Sequence, residues 1–159
     1  MCGGVQFREG GDILTVYFPD PDVHLPVITK AHRIRLVTWG RRHYEDGCLP
    51  LGGWARHESI EQGAWEQWNP RPVKIHARRY MEKDSNGKRY WFDVPPLHVI
   101  QGLLANDGEE QRVYIVTPNG SHAEITCAAL QAGFPVICDK PAAGHLEDGL
   151  RMQAAVRDS

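Results

Sequence analysis

Val113-Tyr114-Ile115-Val116-Thr117-Pro118-Asn119-Gly120-Ser121 is the stretch on which the fold turns. Its first five residues are β-prone and read as a strand; Pro118-Asn119-Gly120 reads as a turn and Ser121 as a helix N-cap. The helical pattern runs from His122 to Gln131 and stops at Gly133, a residue free to adopt the left-handed conformation. Pro135-Val136-Ile137-Cys138 reads as a second strand and Leu146 to Arg157 as a second helix. Strand, helix, strand, helix at these lengths predicts a parallel α/β unit.

The texture upstream is different. Residues 5–92 read mainly as β structure: Ile13 to Phe18, closed by Pro19-Asp20-Pro21, then Val27-Ile28-Thr29. Ile34-Arg35-Leu36-Val37-Thr38-Trp39 alternates apolar and basic side chains as a half-buried strand would, and Gly40 ends it. Pro72 to Ile75 begins another strand, and Tyr90-Trp91-Phe92 returns from an Asp84-Ser85-Asn86-Gly87 turn. Residues 45–72 are loop-rich, with a short helix expected over Ile60 to Trp65. The expected fold class is α+β, with a β-rich domain over residues 1–116 and a C-terminal βαβα segment whose tail occupies 117–159.

Of 159 residues, 42% are hydrophobic and 24% charged, which suits a soluble domain with a real core. No apolar run reaches the roughly 18–20 residues that span a bilayer, and no signal-peptide pattern opens the sequence. Cys2, Cys48, Cys127 and Cys138 show no CxxC spacing and no regular framework. A reduced, cytoplasmic protein without a metal site is expected. The net charge of −2 conceals a segregation: residues 30–89 carry 13 Lys/Arg and 7 Asp/Glu, so the rest is acidic. Arg33, Arg35, Arg41, Arg42, Arg71, Lys74, Arg78 and Arg79 interleave with Trp39, Tyr44, Trp54, Trp65, Trp68 and Tyr80. Such a mixture suits a groove that holds phosphates and stacks unpaired bases; a solvated basic face is the simpler alternative.

The opening Met1-Cys2-Gly3-Gly4 adds a nucleophile. Trimming of Met1 would leave Cys2 with a free α-amine beside its thiol, a pair that condenses with an aldehyde and closes a thiazolidine ring. The amine titrates at about 7.7–8 and the thiol at about 8.5, so both are partly deprotonated near neutrality. By position alone, a small residue in a frayed terminus is the simpler account.

Taken in order, Met1-Cys2-Gly3-Gly4, Trp39-Gly40, Asn69-Pro70-Arg71 and Tyr80-Met81-Glu82 resemble the SRAP (SOS response-associated peptidase) family over about residues 1–116. Residues 72–84 and 90–106 look most like a phage-associated branch of it. The resemblance implies an abasic-site sensor for single-stranded DNA that forms a covalent thiazolidine crosslink through Cys2, with associated autopeptidase activity. It implies that Asn69 orients the reacting group and that Glu82 moves protons. It makes Arg71 a phosphate contact, and with the basic, aromatic-interleaved stretch the expected DNA-binding residues are Trp39, Arg71, Lys74, Arg78 and Arg79. Three departures stand out: Gly4 replaces the family's arginine, Lys83 its tryptophan, and the segment carrying its catalytic histidine is absent. His122, after the same strand, is the substitute candidate; His76, His98 and His145 are weaker ones.

The tail resembles a second family. Thr117-Pro118-Asn119, His122-Ala123-Glu124, Ala128 to Gly133 and Val136-Ile137-Cys138-Asp139-Lys140-Pro141 are similar to the Gfo/Idh/MocA nicotinamide-dependent oxidoreductases over about 114–159. The resemblance places Lys140 beside nicotinamide and substrate. No GxGxxG turn occurs to seat a pyrophosphate on a helix N-terminus, so no bound cofactor is expected. Three readings follow: the DNA-crosslinking domain first, a fragment of a Gfo/Idh/MocA oxidoreductase as its rival, and an inactive DNA-binding module lacking the histidine as a third.

Overall fold

A computed structural model describes residues 3–28, 32–83, 86–117, 126–127, 130–132 and 146–158. The chain divides into two compact units, Met1–Thr117 and Pro118–Ser159.

The described residues of the first unit form ten strands in two sheets. A four-stranded antiparallel sheet runs in the order β2 (Asp12–Tyr17), β1 (Gly4–Glu9), β7 (Arg79–Lys83), β8 (Arg89–Asp93). The six-stranded sheet has the order β4 (Ile34–Thr38), β3 (His24–Ile28), β6 (Arg71–Ile75), β9 (Ile100–Asn106), β10 (Gln111–Thr117), β5 (Trp54–Arg56). Its named strands pair antiparallel except β10 with β5, which are parallel. The chain passes from the six-stranded to the four-stranded sheet through residues 76–78 and returns through residues 94–99.

The alternation of a strand's side chains explains how two cores share β10. Val113 and Ile115 face a cluster with Val5, Phe7, Leu25, Val27, Val37, Trp39 and Ile75. Tyr114 and Val116 face the opposite cluster of Leu49, Ala55, Trp65, Leu103 and Ala105. A strand buried on both faces needs the unbroken apolar run that Val113 to Val116 supplies.

Two local features depart from expectation, and a third is a strand not expected from the sequence. On β4 the inward residue is Val37, in phase with the fully buried Trp39, while Ile34 and Leu36 are exposed. The bulk of Trp39 sets the register, and a one-residue phase change moves every side chain to the other face. The expected helix over 60–65 forms earlier and shorter, as α1 (His57–Glu61). Gly63, with φ of 76°, lies within the turn that follows, and Trp65 at the end of that turn sits in the second core. β9 carries Gly102, a residue that weakens strands. A Cβ there would meet Ile75 Cδ1 at 2.8 Å on the neighbouring β6.

In the second unit, Thr126 and Cys127 are buried and helical, and α2 (Leu146–Asp158) closes the chain. The expected strand at 135–138 lies outside the described residues.

Candidate functional site

The residues singled out by sequence separate into three groups in the structure. Cys2, His122 and Lys140 lie outside the described residues. Gly3 donates its N–H to the Met81 carbonyl at 2.8 Å, and β1 pairs with β7 in the register Gly4↔Met81. The start of the chain therefore runs beside the strand that bears Glu82. Glu82 is half-buried opposite Tyr90. Asn69 is exposed, with φ 45° and ψ 59°, at the end of a 3-10 turn (Glu66–Trp68) that leads into the other sheet. Asparagine tolerates this left-handed geometry better than most residues, so the local turn alone explains the residue type.

Three of the basic and aromatic residues, Trp39, Arg42 and Trp65, are not surface groups. Trp39 is fully buried, and its indole Nε1–H donates to the Gly53 carbonyl at 2.9 Å. It packs against Phe18 and Trp54, with ring centroids 5.5 and 6.4 Å away. Its expected role as a DNA contact is corrected: a ring with no exposed surface cannot stack on a base. Arg42 is 1% exposed and spends its guanidinium on the carbonyls of Asp20 and Trp39. It holds loops together.

Arg71, Lys74 and Arg78 are exposed. Arg79 lies 3.0 Å from the Asp93 carboxylate and 5.8 Å over the Trp91 ring. Arg89 lies over Tyr17 at 5.3 Å, and Tyr17 meets Trp91 edge-on at 6.1 Å.

An ion cluster that sequence reasoning missed joins β10 to the loop after β4. Arg112, 8% exposed, bridges Glu45 at 2.5 Å and Glu110 at 2.9 Å and donates to the Gly40 carbonyl at 2.8 Å. Burial pushes the Glu45 carboxyl up, yet the Arg42 N–H and the Arg112 guanidinium outweigh it and hold the group below its usual value. Burial likewise opposes the charge on Arg112, and Glu110 and Glu45 reverse that effect. The cluster brings residues 45 and 112 together across long sequence separation, so no local pattern announces it. Cys48 is exposed, and its thiol is pushed up by a hydrogen bond to Asp107, which disfavours the reactive thiolate.

A dinucleotide pyrophosphate sits on a glycine-rich turn feeding a helix N-terminus. The described residues do not fit it. β5 passes straight into α1 through Arg56, and that helix has only five residues. Gly40 and Gly52 are jammed together: a Cβ on Gly40 would lie 2.1 Å from the Gly52 carbonyl oxygen. Their openness serves close backbone packing and leaves no cradle for a ligand.

Comparison with known proteins decides between the two resemblances. The Gfo/Idh/MocA oxidoreductase family, described as having an NAD-binding Rossmann fold, matches residues 71–159, and the chain belongs to this family. Levoglucosan dehydrogenase from Pseudarthrobacter phenanthrenivorans is 36% identical over 112 residues, covering 70% of this chain and 25% of that protein. A 1,5-anhydro-D-fructose reductase from Ensifer adhaerens is 43% identical over 56 residues, covering 35% of this chain and 17% of that protein. An NADP(+) scyllo-inositol 2-dehydrogenase from Bacillus subtilis is 35% identical over 65 residues, 40% of this chain and 18% of that protein. The chain thus spans a quarter or less of the length of these relatives. No solved structure matches.

These findings overturn the leading expectation. Abasic-site crosslinking, autopeptidase activity and a single-stranded DNA partner are replaced by membership of an oxidoreductase family, the reading first given to the tail alone. The match also begins upstream of the tail, at Arg71, where the structure is antiparallel β. Among the described residues, no helix is long and apolar enough to cross a membrane.

Proposed function

We propose that the chain supplies part of an NAD(P)-dependent oxidoreductase acting on cyclic polyhydroxy compounds, and that its contribution runs from β10 through Lys140. The observation that carries this reading is the family match over residues 71–159, which contains Thr117-Pro118-Asn119 and Asp139-Lys140-Pro141. The similar proteins are named for levoglucosan, 1,5-anhydro-D-fructose and scyllo-inositol, all ring compounds bearing several oxygens. In this reading residues 117–159 are a partial Rossmann-like α/β segment that follows a β-rich domain over 1–116. Lys140 offers an ammonium with three donors on a flexible stem, suited to holding a substrate oxygen.

The described residues offer the adenylate half of a dinucleotide nothing to bind. The chain is therefore expected to contact a nicotinamide weakly, with a dissociation constant on the order of millimolar. Titration with reduced nicotinamide mononucleotide and with NADPH, read by nicotinamide fluorescence, tests this. The two ligands should bind alike, and Lys140→Ala should abolish the response to both. An unchanged response in Lys140→Ala would overturn the assignment of Lys140. NADPH binding far tighter than the mononucleotide would reveal a pyrophosphate cradle and refute the fragmentary site.

A further inference from the structure

Two of the crossovers between the sheets, residues 76–78 and 94–99, line an open cleft of about 340 Å³. The Val94 N–H donates to the Arg78 carbonyl at 2.7 Å, and the Arg78 N–H to the Gln6 carbonyl at 2.7 Å, which fixes both walls to the four-stranded sheet. His76, Arg78, Asp93 and His98 supply the polar lining, with Val94, Pro95, Pro96 and Leu97 between them. A cleft of this size lies at the lower end of the range for small-molecule sites.

The two imidazoles are prepared differently. His98 Nδ1 lies 3.1 Å from the Pro96 carbonyl. A carbonyl only accepts, so Nδ1 carries the proton in that contact and Nε2 is left to meet a ligand. His76 Nδ1 is buried and has no partner. A half-turn of that ring gives up no hydrogen bond at Nδ1, so the side chain is free to present either nitrogen. Leu97, at the rim, is fully exposed and holds φ at 68°, a conformation that costs a leucine.

The charge balance selects the ligand. Arg78 disfavours a cation, and Asp93, whose carboxylate is shared with Arg79 at 3.0 Å, disfavours an anion. A guanidinium only donates, a carboxylate only accepts, and the imidazoles do either. A ligand whose every polar group both donates and accepts satisfies all four. Among small molecules that is a neutral polyol, and Val94, Pro95 and Pro96 in the lining offer apolar contacts to ring C–H groups.

We propose that this cleft binds a neutral cyclic polyol of the size of a hexose or cyclitol. The site lies within the first unit and stands whether or not Lys140 meets a nicotinamide.

The test uses the full, isotope-labelled chain without cofactor, titrated with myo-inositol and separately with inorganic phosphate, and followed by NMR of the backbone amides and histidine rings. Myo-inositol should move the His76 and His98 ring signals and the amides of residues 94, 97 and 98 saturably, and phosphate should not displace it. His98→Ala and Arg78→Ala, both at exposed positions, should each weaken binding about fivefold or more while amides elsewhere keep their positions. Absence of a saturable response to myo-inositol overturns the proposal, as does tighter binding of phosphate at the same residues. Wild-type affinity in both variants would also overturn it.

Discussion

Arginine and tryptophan meet in two places in the first unit, and the two meetings are opposite in kind. Around β4 and β10, Trp39 is buried and hydrogen-bonded, Arg42 holds carbonyls, and Arg112 is enclosed by two carboxylates. On the four-stranded sheet, Arg79 and Arg89 lie over Trp91 and Tyr17, with Arg79 partly exposed. In sequence the two sets look alike, a basic residue every few positions with an aromatic between. The difference teaches that such interleaving does not define a surface. Guanidinium groups satisfy stranded carbonyls in a loop-rich core as readily as they face solvent.

Substituting the tryptophans should separate the two regions most widely. Trp39→Ala is expected to lower stability by about 3–5 kcal/mol in urea unfolding, since it empties the centre of the larger core. Trp91→Ala should cost about 1 kcal/mol, the scale of a half-exposed cation–π pair. Equal losses would erase the distinction.

The arginines give the next largest contrast. Arg112→Met should cost about 3 kcal/mol or more, because it leaves Glu45 partly buried without its countercharge. Arg89→Met, which removes one cation–π contact, should cost less than about 1 kcal/mol. Thermal or urea unfolding of both variants at one pH and salt concentration makes the comparison.

The smallest effect expected is one of acidity. The Glu45 carboxyl is held below its usual value of 4.5 in the folded chain, so protonating it is harder there than in the unfolded chain. Its contribution to stability is complete above that usual value and is lost as the pH falls through the lowered one. Unfolding curves from neutrality down to acid should therefore slope less steeply in Glu45→Gln than in the wild type. Parallel slopes would mean that Glu45 titrates alike in both states.

Several strands were legible in the residues themselves. β2, β6, β8 and β10 form where β-branched and aromatic runs end in turn signals. What could not be read depends on contacts between distant segments. The phase of β4 follows from where Trp39 fits, β9 tolerates Gly102 because Ile75 crosses it, and Arg112 finds Glu45 only after the sheet has formed. The site was less legible than the fold. The tail motif around Lys140 named the family, while the ordered set from Cys2 to Glu82 pointed to a different one. Asn69 and Glu82 lead into different sheets, and Trp39 is core.

The place of β10 bears on how the chain is made. Among the described residues it is the only strand partner of β5, it bridges to Trp39, and its Arg112 and Tyr114 bond to the carbonyls of Gly40 and Pro50. Gly40 therefore waits through the synthesis of 72 further residues before its partner exists. Until then Trp65, Leu103 and Ala105 have no Tyr114 or Val116 to pack against. Contacts this far apart in sequence form slowly, and the apolar surface they leave uncovered is a substrate for aggregation and for chaperones. A nascent chain halted before Gln111 is thus a client for quality control, whereas one halted after Thr117 already carries every strand of its first unit.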